Sequence, residues 1–161
     1  PHGMPLGAAL GYGNEALVNI YFNAPKVKPE NTFLVGVRDL DEGEIELANS
    51  IDLNLYTMEI IRSRGLDSII EDITTKIKNS NLDAIHLSFD IDVLDKKLVP
   101  GTGTPVDGGF TIEEIKALFK SFIETRLIKS MDFVELNPLL DENDSTADLC
   151  IEIIDWIFKY I

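Results

Sequence analysis

The chain is poor in several residue types, and each shortage narrows what it can be. Its 161 residues include one cysteine, two histidines and one tryptophan, with 14 Lys+Arg against 28 Asp+Glu. The lone thiol, Cys150, excludes an intramolecular disulfide and fits a reducing, cytoplasmic setting. The shortage of basic residues leaves a formal charge of −14. That charge argues against nucleic acid and anionic membrane surfaces as partners. It favours cationic small molecules and metal ions, and it also serves plain solubility. No apolar run approaches the roughly 20 residues needed to cross a bilayer. There is no internal repeat, low-complexity tract or long linker. No Gly-x-Ser-x-Gly elbow or Cys/His pairing supports a covalent nucleophile. The first residues show no signal-peptide pattern. The chain starts at Pro1 rather than Met, so a processed chain or a fragment is expected.

What is present suits one domain with a real core. Apolar residues make up 45% and the mean hydropathy is +0.06. Residues 7–18 read as a helix weakened by Gly11 and Gly13. Residues 32–37 form a short continuous apolar run, as expected of a strand buried on both faces. Residues 53–56 are a weaker strand. Residues 66–78 carry apolar positions at helical spacing. Residues 84–89 and 131–136 read as strands. Thr111-Ile112-Glu113-Glu114 is a capping box that opens a helix. Residues 145–161 form a terminal helix that is apolar on more than one face. Strands alternating with helices predict an α/β fold with a mostly parallel sheet and helices on both faces. Function in such sheets gathers at the carboxyl ends of strands.

Three expected strands end in polar clusters: Arg38 to Glu44, Asp90 to Asp95, and Glu135-Leu136-Asn137-Pro138. Asp90 and Asp92 share one strand face at a Cα separation of roughly 6.5 Å, so both can reach one ion or an adjacent pair. Buried carboxylates are costly unless compensated, and a hard or borderline metal ion compensates well. The alternative is a solvated pair capping a loop. His86 lies roughly 13 Å before Asp90 along the strand and reads as a satisfied core histidine. His2 is on position alone a cloning remnant, or else an imidazole that carries protons near neutral pH. Glu135 can cap a loop or pair with a guanidinium. The cluster Asp39, Asp41, Glu42, Glu44 is a solvated turn or a seat for an ammonium group. The loop Gly101-Thr102-Gly103-Thr104-Pro105 allows close backbone approach but lacks the lysine of a phosphate loop.

Four segments together resemble the ureohydrolase family, and within it the arginases. They are His2-Gly3-Met4-Pro5-Leu6-Gly7, Gly36-Val37-Arg38-Asp39-Leu40-Asp41-Glu42-Gly43-Glu44, Ser88-Phe89-Asp90-Ile91-Asp92 through Pro100–Pro105 to Gly108-Gly109, and Phe133-Val134-Glu135-Leu136-Asn137-Pro138. The resemblance implies a three-layer α/β/α arginase-like fold. It implies a hydrolase of arginine metabolism, in the chemistry of the urea cycle. L-arginine would be cleaved to L-ornithine and urea by hydroxide held between two Mn²⁺ ions. By the same resemblance Asp90 and Asp92 are metal ligands and His2 shuttles protons. Glu135 pairs with the guanidinium, Thr104 lies near that group, and Asp41 and Glu44 lie around the substrate's α-ammonium.

The resemblance covers only the carboxyl-terminal part of the longer arginases, so residues 1–161 are expected to be that part of a catalytic domain. The family's earlier histidine ligand and its Asp-Ala-His-x-Asp segment do not occur here, nor do the residues that hold the substrate carboxylate. Two aspartates do not fill the coordination of two Mn²⁺ ions, so the chain alone is expected to bind metal weakly and to be inactive. Asp95-Lys96 stands where Asp-Pro is usual. Competing readings are an agmatinase-type or other amidinohydrolase, a non-catalytic fragment or assembly module, and a deacetylase on the same fold. Family members form trimers or hexamers, so a homo-oligomer is expected.

Overall fold

The computed structural model describes residues 4–161; His2 lies outside the described residues. The chain divides into two compact units. The first runs to Leu34 and resumes over Leu40–Leu55, and the second comprises Val35–Asp39 and Tyr56–Ile161.

In the first unit the helix expected over residues 7–18 is two short ones, α1 (Met4–Ala9) and α2 (Glu15–Val18). The reason is backbone geometry at two glycines, Gly11 (φ +94°) and Gly13 (φ +101°), which take a conformation that side chains resist. A Cβ at Gly11 would also meet Pro25 Cγ at 2.9 Å. Asn14 then starts α2, its side chain accepting from the Ala16 N–H at 2.8 Å. The loop that follows is tied by Lys26, whose Nζ donates to the carbonyls of Val18, Phe22 and Ala24 at 2.5–2.6 Å. The polar run Asp41–Glu44 is a helix start rather than a plain turn. Helix α3 (Glu42–Ser50) opens with a capping box between Asp41 and Glu44. The sequence carries that signal as Asp-x-x-Glu, and the low apolar content downstream obscured the helix.

Strands β1 (Phe33–Val37) and β2 (Asn54–Thr57) form one two-stranded sheet, and β3 (Ile85–Asp90) and β4 (Ile128–Val134) form another. The second pair is parallel. Helices of the second unit are α4 (Met58–Arg64), α5 (Leu66–Asn79), α6 (Ile112–Glu124) and α7 (Ser145–Phe158). Helix α4 was not foreseen; Thr57 caps it through the Ile60 N–H and Gly65 ends it. Helix α5 buries Ile69, Ile73 and Ile77, and α6 buries Ile115, Leu118 and Phe119. The Phe89 ring meets Phe119 and Phe133 edge-on at 5.0 and 5.1 Å between centroids, which seats β3 and β4 on α6.

Two-sided burial does not hold for β3 and β4. Phe89 is buried, but His86, Ser88, Ser130 and Asp132 on the opposite face are exposed. His86 is therefore satisfied but not a core residue. Its Nδ1 lies 2.8 Å from Ser130 Oγ and its Nε2 lies 3.2 Å from Asp132 Oδ2. Helix α7 is apolar on more than one face, with Ile153 fully buried while Ile151 and Phe158 are exposed. Cys150 is buried among these residues, and burial pushes its thiol pKa up. Among the described residues, no helix is long and apolar enough to cross a membrane.

Asp141 starts α7 from a distance. Its carboxylate accepts from the N–H groups of Thr146 and Ala147, both at 2.9 Å, and from Ser145 Oγ at 3.2 Å. Desolvation works to raise its pKa, but these donors outweigh it and the net shift is downward. A carboxylate with a lowered folded pKa stabilises the fold above the ordinary carboxylate range and loses that contribution as pH falls through its folded value. Asp141→Asn should therefore be less stable than the parent chain at pH 7, with the gap narrowing towards pH 3. Urea unfolding midpoints at the two pH values check this, and an equal gap at both contradicts it.

Candidate active site

The parallel register places Asp90 opposite Val134, so the next residue along, Glu135, emerges beside the end of β3. Strand β4 stops at Val134 rather than running to Leu136 as expected. Glu135 takes a left-handed backbone (φ +67°), which turns the chain out of the sheet. Leu136 instead makes an antiparallel bridge with Thr102, and the Asn137 N–H donates to the Gly101 carbonyl at 2.8 Å. This stitch brings the Gly-rich loop back to the strand ends.

Past Asp90 the chain leaves the strand in one tight turn, Ile91–Val93, so Asp92 does not share the expected strand face with Asp90; the turn, capped by Asp90, sets the pair instead. The Asp90 carboxylate accepts from the Asp92 N–H at 3.1 Å, and Thr104 Oγ1 donates to Asp92 Oδ2 at 2.8 Å. Asp90 is half-buried, and its pKa is pushed up to about 7. Desolvation is the main cause. The Asp92 N–H opposes it, while the charges of Asp92 and Glu135 add to it. Asp90, Asp92, Thr104 and Glu135 thus form one neighbourhood in the second unit. Asp41 and Glu44 belong to the first unit, where they bond each other: Asp41 Oδ1 accepts from the Glu44 N–H at 2.8 Å, and Glu44 Oε2 accepts from the Asp41 N–H at 3.0 Å.

Sequence reasoning named Arg38 only as part of a cluster. In the structure its guanidinium donates to three backbone carbonyls, those of Asp92, Val106 (2.9 Å) and Leu94 (3.2 Å). Asp95 holds the same loop from the other side, accepting from the N–H groups of Lys97 (3.0 Å) and Gly108 (2.8 Å), which hold its pKa below the usual range. Lys96, where the resemblance expects proline, reaches Asp107 at 2.5 Å and donates its N–H to the Val106 carbonyl. The Gly108-Gly109 pair was the available signal. A Cβ on Gly109 would run into Arg38 Nη1 and the backbone of Leu94 and Asp95. Gly101 is similarly confined, its would-be Cβ lying 2.6 Å from Asp141 Cβ. Thr102 Oγ1 is buried without a hydrogen-bond partner among the described residues, which no sequence pattern announces.

The Asp90–Asp92 pair fits a divalent cation as two hard oxygen donors, since positive charge would relieve the desolvated Asp90 carboxylate. The pair is not a complete donor set. Among the described residues no group of three His, Cys, Asp or Glu side chains is arranged to hold a metal ion.

A parallel sheet with carboxylates at its strand ends and a glycine-rich return loop defines an α/β protein with a strand-end site. Comparison with known proteins narrows this further. The model of the arginase family matches residues 1–158. The chain is 41% identical to the arginase of Bacillus caldovelox over 157 residues, which is 98% of this chain and 52% of that protein. The solved structure of that enzyme superposes with a TM-score of 0.91, again covering 98% of this chain and 52% of the other. The Entamoeba histolytica arginase, solved in complex with L-ornithine, is 33% identical with a TM-score of 0.87, covering 98% and 52%. The chain belongs to the arginase family and carries its α/β fold. It spans about half the length of the relatives it matches and resembles their carboxyl-terminal part.

The packing around Arg38 yields a direct test. Gly109→Ala should destabilise the chain by about 1–3 kcal/mol through overpacking. Gly103→Ala should change stability little, because nothing lies within 4 Å of its added methyl. Urea denaturation of both variants checks the contrast.

Proposed function

We propose that this chain is the carboxyl-terminal part of a manganese-dependent arginase that hydrolyses L-arginine to L-ornithine and urea. The observation that carries the reading is the desolvated Asp90 carboxyl beside Asp92, facing the strand end from which Glu135 turns out. Asp90 and Asp92 would hold the cation with donors from outside this chain. When bound, such an ion supplies Lewis-acid activation of water near neutral pH.

The remaining chemistry belongs to side chains of this chain. Glu135 takes the substrate guanidinium as an ion pair and fixes its plane relative to the strand ends. Thr104 donates its hydroxyl proton to Asp92 Oδ2, which leaves the lone pairs of Oγ1 to accept from a guanidinium N–H. Asp41 and Glu44 each have one carboxylate oxygen engaged in the capping box, and their role around the α-ammonium rests on the family resemblance alone. His2 delivers a proton from its imidazole to the departing ornithine amine. The full site would form in a cytoplasmic homo-oligomer.

The test supplies the chain with Mn²⁺ and a complementary amino-terminal arginase segment and measures urea from L-arginine. Urea release is expected with both added and not with the chain alone. Glu135→Gln should cut kcat/KM by at least about 100-fold through loss of the charged pair. Robust release by the chain alone would overturn the claim that further donors are required. No release from the folded, reconstituted pair would favour a non-catalytic module.

A further inference from the structure

Arg38 is a guanidinium whose three observed hydrogen bonds all go to main-chain carbonyls rather than to a carboxylate. Those carbonyls are not neighbours in sequence. One belongs to the turn that carries Asp92, one to Leu94 just past that turn, and one lies at the far end of the loop, at Val106. One rigid fork therefore closes a loop of more than ten residues. The closure has been given room, since Gly109 has no Cβ where Arg38 Nη1 passes. It is also backed by a ladder: the Phe110 N–H donates to the Val93 carbonyl at 3.0 Å, and the Asp95 N–H donates to the Phe110 carbonyl at 3.1 Å. Thr104, which lies within the closed loop, is the residue that donates to Asp92 Oδ2. Fixing both ends of the loop fixes where Thr104 stands relative to Asp92.

We propose that Arg38 is the positioning residue of the site: by gripping the carbonyls of Asp92, Leu94 and Val106 it sets the direction of the Asp92 carboxylate. Its importance for cation binding rests on the reading of Asp90 and Asp92 as metal donors; its action on the loop does not. A planar fork with several fixed donors can span three carbonyls, whereas a lysine ammonium on a flexible stem cannot hold the same spread. Charge alone is therefore insufficient, and Arg38→Lys is the informative variant.

The experiment compares the full chain with its Arg38→Lys and Arg38→Met variants by amide hydrogen exchange and by Mn²⁺ titration followed by electron paramagnetic resonance. Both variants are expected to exchange the amides of Asp92, Asp95 and Lys96 about tenfold faster, with α5 amides unchanged. The α5 amides report that the fold survives. Mn²⁺ affinity is expected to fall several-fold in both variants. Unchanged exchange around Asp92 in a folded Arg38→Lys overturns the proposal. So does wild-type exchange restored by lysine but not by methionine, which would assign the effect to charge. Faster exchange with Mn²⁺ affinity equal to the parent's overturns the link to the carboxylate. Because donors from outside this chain complete the site, the Mn²⁺ titration is run with the complementary amino-terminal segment present; no uptake by that pair overturns the metal reading of Asp90 and Asp92, and faster exchange still upholds the loop clamp.

Discussion

The register between β3 and β4 is the constraint on which the rest of the second unit depends. Parallel strands have no tight turn to fix their pairing, so the alignment is set by what each face buries. Here Phe89 pairs with Phe133 and both rings meet on the α6 side. That contact puts Asp90 opposite Val134, and Glu135 follows. A slip of one residue would turn Phe89 to the exposed face and move both carboxylates off the strand-end rim. The aromatic packing on one side of the sheet and the carboxylate geometry at its end are therefore one arrangement.

Beyond the strand ends, the structure works by returning the chain to where it left. The Gly-rich loop is bonded to the segment after β4 through Thr102, Leu136, Gly101 and Asn137. The Gly101 N–H also donates to Thr146 Oγ1, at the start of α7. Asp141 packs on Gly101 and accepts from the first amides of α7, so one carboxylate joins helix start and loop. Short-range polar contacts hold geometry where little apolar burial is available.

The fold class was legible because the apolar runs and the Thr111–Glu114 capping box are local signals that burial reinforces. The placement of Asp90, Asp92, Thr104 and Glu135 in one neighbourhood was legible from the family resemblance and not from strand parity, because Asp92 stands in the turn past the end of β3. Other features were not legible, helix α4 among them. Residues 7–18 scan as one helix until the backbone demands at Gly11 and Gly13 are met. Helix α3 shows its cap but little apolar periodicity. The work of Arg38 leaves no local trace, since its partners are backbone carbonyls more than fifty residues away, which any residue type supplies. His86 was misjudged for a related reason: parity gives the face of a strand, but not whether that face is covered.

The left-handed backbone at Glu135 sets two demands against each other at a single position. A side chain with a Cβ is strained there by roughly 1 kcal/mol or more, and glycine would sit without strain. Glycine would also remove the carboxylate that the proposed function pairs with a guanidinium. The residue that would make this turn most comfortable is thus the one that would empty it of charge, and any search for a sturdier version of the chain that scores the fold alone will be drawn to it first.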